Sequence, residues 1–88
     1  MAKFNFSVFT HSGNVINKDV EFLRFSSTSG DVGIEYNHTA SLLQCKSGDL
    51  LIKVDQKDEL YQLNDGFVHV EPDQVVLFTD YLEFKNSK

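Results

Sequence analysis

Apolar residues fall at every second position along much of this chain, and turn-forming clusters break the alternation at intervals of about eight to twelve residues. Phe4, Phe6 and Val8 alternate with Lys3, Asn5 and Ser7, so a strand there has one apolar face and one wet face. Leu50, Ile52 and Val54 alternate with Leu51, Lys53 and Asp55. The polar Gln56-Lys57-Asp58 then leads into Glu59–Leu63, a hairpin pattern. Phe67, Val68 and Val70 make a further strand, and Glu71-Pro72-Asp73 turns into the run Gln74–Asp80. Shorter strands are expected at Asp31–Ile34 and around Leu42, Leu43 and Cys45. Between Val20 and Phe25 large apolar groups occur in both phases, which predicts a single strand covered on both sides. Thr10–Asn14, Ser26–Gly30, Lys46–Asp49 and Asn64-Asp65-Gly66 have turn or loop composition.

No segment keeps apolar residues at helical spacing over the roughly twelve residues that a stable helix needs. Only Asp80–Lys85 tolerates a helical assignment, and it is too short to be a domain element. Eight to ten short strands at this spacing predict an all-β sandwich or barrel. A length of 88 residues fits one domain, here taken as 1–88.

Charge narrows the choice of partners. The net charge is −5 and the eight Lys and Arg residues are scattered singly, so there is no basic stripe to hold nucleic acid. An anionic membrane surface would be repelled for the same reason, and no apolar run approaches the roughly 20 residues that span a bilayer. The N-terminal Met1–Phe6 alternates instead of forming the continuous apolar stretch of a signal peptide. The only cysteine, Cys45, has no internal disulfide partner, which fits a reducing compartment.

The residues that could carry chemistry do not assemble into a set. Cys45 with His38 or His69 is a conceivable nucleophile pair, but Cys45 lies in an apolar stretch, where a free thiol behaves as a small hydrophobe. His11, His38, His69 and Cys45 lack the close paired spacing of zinc sites, so no metal is expected. Gly30-Asp31-Val32-Gly33 is followed by a strand, whereas a phosphate loop needs a helix N-terminus. Those glycines are expected to permit unusual backbone angles or close packing. No catalytic residue and no cofactor emerge, and binding is the expected mode of action.

The order of the motifs goes further. Gly30-Asp31-Val32-Gly33-Ile34, then His38, then Leu42, then Lys46-Ser47-Gly48 resembles the signature of the epsilon subunit family of F-type ATP synthases. That signature runs Gly-Glu-Leu/Phe-Gly-Val/Ile, then Leu/Tyr-Pro-Gly-His-Ala-Pro-Leu-Leu, then Lys-Pro-Gly. Asn64-Asp65-Gly66-Phe67-Val68-His69-Val70, Pro72 and Val75-Val76-Leu77 are similar to the family's Ser-Gly-Gly-Phe-Leu-Glu-Val-x-Pro block and its subsequent Val-Thr-Val-Leu strand.

The resemblance implies a two-sheet β-sandwich of about ten strands in the rotating central stalk, without catalytic residues of its own. It implies contact with the gamma subunit through Thr10, His38, Thr39, Leu42 and Leu43. It also implies a loop facing the membrane c-ring at Ser29, Gly30 and Asp31, and indirect coupling to the alpha/beta catalytic head. The protein would then be peripheral, on the cytoplasmic side of the membrane and part of a complex. In place of the family's proline-bearing tripeptides around the histidine stand Glu35-Tyr36-Asn37 and Thr39-Ala40-Ser41, so a looser loop is expected there. The chain ends at Lys88, just after the last strand-like segment, and the two-helix hairpin of longer members is expected to be missing. Two other roles fit the residues: the same subunit in a diverged F-type-like motor not coupled to proton flow, and a free-standing β-sandwich adaptor.

Overall fold

The alternation at Phe4, Phe6 and Val8 puts all three side chains inside the molecule, and the same rule builds most of the other strands. The computed structural model describes residues 2–87. Ten strands run in order: β1 (Phe4–Thr10), β2 (Gly13–Val20), β3 (Phe22–Ser27), β4 (Gly30–Glu35), β5 (Ser41–Cys45), β6 (Gly48–Val54), β7 (Lys57–Leu63), β8 (Gly66–Glu71), β9 (Gln74–Thr79) and β10 (Leu82–Ser87). The described residues contain no helix.

The strands form one curled sheet in the order β10-β7-β6-β3-β5-β8-β9-β1-β2, with β4 on β3. The upper half of β3, Phe22–Arg24, pairs with β6, while at its lower end Ser27 pairs with Cys45 of β5. That single pair marks a corner. It divides the sheet into two layers: β4-β3-β6-β7-β10 (layer I) and β5-β8-β9-β1-β2 (layer II). Phe4, Phe6, Val8, Val68, Val70, Val75 and Leu77 from layer II meet Leu23, Phe25, Ile34, Leu50, Ile52 and Leu63 from layer I in one core. The result is a β-sandwich.

One expectation is corrected, and one segment left open is assigned. Val20–Phe25 is not one strand covered on both faces, because the chain bends at Glu21. There the Glu21 N–H bonds the Lys53 carbonyl at 2.8 Å, and the Glu21 carboxylate accepts the Asp55 N–H at 3.1 Å. The bend resets the phase, so Val20, Leu23 and Phe25 are all buried while Arg24 faces solvent. Asp80–Lys85 is not helical either. From Leu82 onward it is β10, which pairs with β7 through Leu82↔Leu63 and Phe84↔Tyr61. The open backbone of β7 offers more hydrogen bonds to this segment than one helical turn could supply.

The connections after β1, β3, β5, β7 and β9 share one end of the sandwich, called here the lower end. Their loops are laced together there: the Ser47 N–H reaches the Asp65 carboxylate at 2.6 Å, and Asn64 Nδ2 reaches Asp80 at 3.1 Å. The upper end carries the Glu21 bend, the β4–β5 loop and the β6–β7 and β8–β9 turns. In the β6–β7 turn both central residues are left-handed, Asp55 (φ 51°) and Gln56 (φ 66°), the turn sense that matches strand twist.

Opposite the corner, an ion pair closes the gap between layers. Lys18 of β2 meets Glu59 of β7 at 2.7 Å, and the Tyr61 hydroxyl donates to the same carboxylate at 3.2 Å. Burial, and then the Glu59 charge, push the Tyr61 phenol up to about 12. A raised folded-state value means that Tyr61 contributes its stability in full below the ordinary tyrosine range near pH 10. The contribution is lost as pH climbs toward 12. Phenolate absorbance should therefore show a component near pH 12 that is lost in Tyr61→Phe, while the raised Tyr81 remains. Persistence of the component near pH 12 in that variant would contradict the assignment.

Cys45 is buried at the corner, and burial raises its thiol. An aromatic disulfide reagent should label it slowly in the native protein and rapidly in denaturant. Fast native labelling would place Cys45 outside the core.

Candidate interaction surface

The two outer faces of the sandwich differ in chemistry because they take the polar phases of different strands. On layer I, one outward row reads Asp31, Ser26, Asp49, Gln62 and Glu83 across β4, β3, β6, β7 and β10. Arg24 pairs with Asp31 at 3.1 Å, and Lys85 lies 3.6 Å from Asp49. This row is charged and solvated.

Layer II is built otherwise. Cross-strand pairing puts Gln44, Phe67, Phe78 and Phe9 in one outward row across β5, β8, β9 and β1. The next row up holds Leu42, His69, Val76 and Ser7. Leu42 is 70% exposed, Phe67 55%, Phe78 50% and Phe9 37%. The Phe9 and Phe78 rings stack with centroids 5.7 Å apart and planes 21° apart, a contact worth about 0.5–1.5 kcal/mol. Below the row lies a shallow groove of about 430 Å³, whose rim includes Thr10, His11, Asp65 and Asp80. Contiguous exposed apolar groups of this kind mark interaction surfaces on soluble domains. The sequence alone does not single out the aromatic row. A signal is nonetheless present: each phenylalanine sits in the wet phase of its strand, beside core residues Val8, Val68 and Leu77.

Of the residues that the sequence does single out, Ser29, Gly30 and Asp31 stay together on the β3–β4 hairpin at the lower end. Gly30 has φ +115°, which a side chain rarely adopts, and Ser27 Oγ ties the turn by donating to the Gly30 carbonyl at 2.8 Å. The other glycine of that motif, Gly33, leaves room for the Phe22 ring, since a Cβ there would lie 3.2 Å from it. Arg24, and then the Ser26 hydroxyl, hold the exposed Asp31 carboxyl below the usual aspartate range.

The residues expected to face gamma are spread out. Thr10 lies at the lower end of β1, and His38 and Thr39 lie in the upper β4–β5 loop. Leu42 is outward on layer II, whereas Leu43 is partly buried and packs against the core.

His38 is half-buried and engaged. Its ring sits edge-on to Phe4, centroids 4.9 Å apart at 76°. Nδ1 is within hydrogen-bond distance of the Glu35 carbonyl and Nε2 of the Glu71 carbonyl. Carbonyls only accept, so a neutral ring donates to one of them and the imidazolium to both. His38 thereby ties the end of β4 to the end of β8. The loop that lacks prolines is fixed by this anchor and by the left-handed Asn37 (φ 66°). A separate hollow of about 450 Å³ at the upper end is lined by Glu21, Phe22, Glu35, Tyr36 and Lys53. Among the described residues, no three His, Cys, Asp or Glu side chains come together as a metal set.

The fold and the exposed aromatic row together define a small all-β sandwich with one candidate docking face. More specifically, residues 3–85 match the family described as ATP synthase, Delta/Epsilon chain, beta-sandwich domain, and the chain belongs to that family. The ATP synthase epsilon chain of Bacillus velezensis is 32% identical over 81 residues, covering 92% of this chain and 61% of that protein. The epsilon chain of Staphylococcus aureus is 30% identical over 84 residues, covering 94% of this chain and 63% of that protein. The chain thus spans about three-fifths of the length of these relatives.

Among solved structures, a chain of the Euglena gracilis mitochondrial ATP synthase (OSCP/F1/c-ring, rotational state 1) superposes with a TM-score of 0.88 at 18% identity. The match covers 96% of this chain and 54% of that one. A chain of the Tetrahymena thermophila mitochondrial ATP synthase central stalk/c-ring matches with a TM-score of 0.76 at 18% identity, covering 92% and 66%. At that identity the likeness is one of fold.

Proposed function

We propose that this chain is the β-sandwich domain of a central-stalk rotor subunit of an F-type ATP synthase, and that it couples rotation of gamma to the membrane c-ring. The observation that carries this is the family match over residues 3–85, joined by relatives that are themselves ATP synthase epsilon chains. The domain is non-catalytic and holds no cofactor, and the ATP chemistry belongs to the alpha/beta head. It sits peripherally on the cytoplasmic side of the membrane as part of that complex, with 1–88 acting as one domain.

The two faces suit two neighbours. Gamma lies along the outer face of layer II, touching Leu42, the His38–Thr39 loop above and Thr10 below, while Leu43 supports Leu42 from within. The c-ring lies under the lower end, against Ser29, Gly30 and Asp31. Acidic turns there set register against basic loops more than they add affinity. A rotor coupling has to transmit torque, and a close-packed two-layer core does so better than a flexible tether.

Native mass spectrometry of the complex isolated through a tag on this chain tests the proposal. Recovery with gamma and the catalytic-head subunits is expected. Recovery without gamma would overturn it. Recovery with gamma from an assembly that lacks a membrane ring would replace proton coupling with a diverged motor.

A further inference from the structure

The outward positions of layer II on β5, β8, β9, β1 and β2 include no Lys or Arg. Acidic groups lie at both margins of the face: Asp65 and Asp80 directly below the aromatic row, and Glu71 and Asp19 two outward rows above it. The row itself runs perpendicular to the strands. Phe67, Phe78 and Phe9 are paired residues on adjacent strands, so they succeed one another at about 4.8 Å. One turn of an α-helix rises about 5.4 Å, close to that spacing.

We infer that the aromatic row is the seat of an amphipathic helix of the gamma-type partner, lying across β8, β9 and β1. Its apolar stripe covers the three phenylalanines, and its flanks carry Lys or Arg. Side chains at i, i+4 and i+7 of such a helix fall over successive rings. Cations on the two flanks of the stripe meet the acidic margins of the face. A strand laid along the row would offer a side chain to this face only every second residue, about 6.6–6.8 Å apart, out of step with the rings. The inference rests on the rotor proposal and adds the element that gamma uses and the chemistry of its flanks.

The test is photo-crosslinking in the intact assembly, with a benzoylphenylalanine placed at Phe67, Phe78 or Leu42 in separate full-length variants. Crosslinks from the Phe67 and Phe78 positions to one helical gamma segment with an apolar stripe and basic flanks are expected. Crosslinks from those two positions to a strand or loop, or to a second copy of this chain, would overturn the inference. So would their absence while the Leu42 position still captures gamma, a result that leaves the rotor proposal standing. If none of the three captures gamma, both fail.

A second measurement uses charge. Gln44→Lys puts a cation at the end of the row, on an exposed side chain with no role in the core. It should weaken binding to purified gamma by about fivefold or more, while Gln44→Glu leaves binding equal or tighter. Binding to gamma that is tighter with Lys than with Glu would exclude basic flanks.

Discussion

Replacing Gly66 with alanine should cost a large part of this domain's stability, although it adds only one methyl group. Gly66 opens β8 at the lower end, between Cys45 of β5 and Thr79 of β9. A Cβ built on its backbone would lie 2.0 Å from the Phe78 carbonyl oxygen and 3.0 Å from the carbonyl carbon. Neither is the far end of a flexible side chain, so the β8–β9 ladder itself would have to open. The ladder is held from below, where the Thr79 hydroxyl lies within 3.2–3.3 Å of the Asn64, Asp65 and Tyr81 carbonyls. Overpacking against immovable backbone belongs to the largest class of single-residue effects, on the order of 3 kcal/mol or more. An 88-residue domain holds roughly 4 to 13 kcal/mol in all. Urea denaturation of Gly66→Ala should show a greatly lowered midpoint or no folded baseline. Gly33→Ala is the matched control. There the new methyl would meet only the Phe22 ring, at 3.2 Å, and a ring can tilt, so a loss of about 1 kcal/mol or less is expected. Equal midpoints for the two variants would refute the close-approach account.

How far the sequence could foresee this depends on the kind of information each residue carries. Alternation is local, so the inward residues of β1, β6 and β8 were legible from their own neighbours. The phase reset at Glu21 was not. It depends on hydrogen bonds to Lys53 and Asp55, more than thirty residues along the chain. β10 was illegible for a related reason. Leu82–Ser87 has little pattern of its own, and its strand form comes from the unpaired edge of β7.

The candidate site divides in the same way. Motif order along the chain singles out the Ser29–Asp31 segment and His38, and the structure places the former at the β3–β4 hairpin. What His38 does locally, joining the carbonyls at the ends of β4 and β8, required the fold. The aromatic row required it most, since three residues far apart in sequence become a surface only once the registers of β8–β9 and β9–β1 are fixed.

The neighbouring residues Leu77 and Phe78 should give opposite results in the same two assays. They are adjacent on β9, so their side chains leave the sheet on opposite faces. Leu77 is 2% exposed and packs in the core, whereas Phe78 stands half-exposed in the aromatic row. Leu77→Ala removes buried methyls and leaves a cavity between the layers, at a cost of about 2–5 kcal/mol. The binding surface is untouched, so the fraction that remains folded should hold gamma with ordinary affinity. Phe78→Ala loses little buried area and one stacked contact with Phe9, so its unfolding free energy should drop by no more than about 1.5 kcal/mol. Yet it removes the central ring of the row, where a partner's apolar stripe would be most fully desolvated. Central aromatic anchors of this kind typically carry about 2 kcal/mol or more of binding energy, roughly a thirtyfold loss of affinity. Denaturation of the two variants, then titration with gamma, separates the roles. If Phe78→Ala bound gamma as well as the parent, the outer face of layer II would not be the gamma surface. If Leu77→Ala were as stable as the parent, the core would not lie between the two layers.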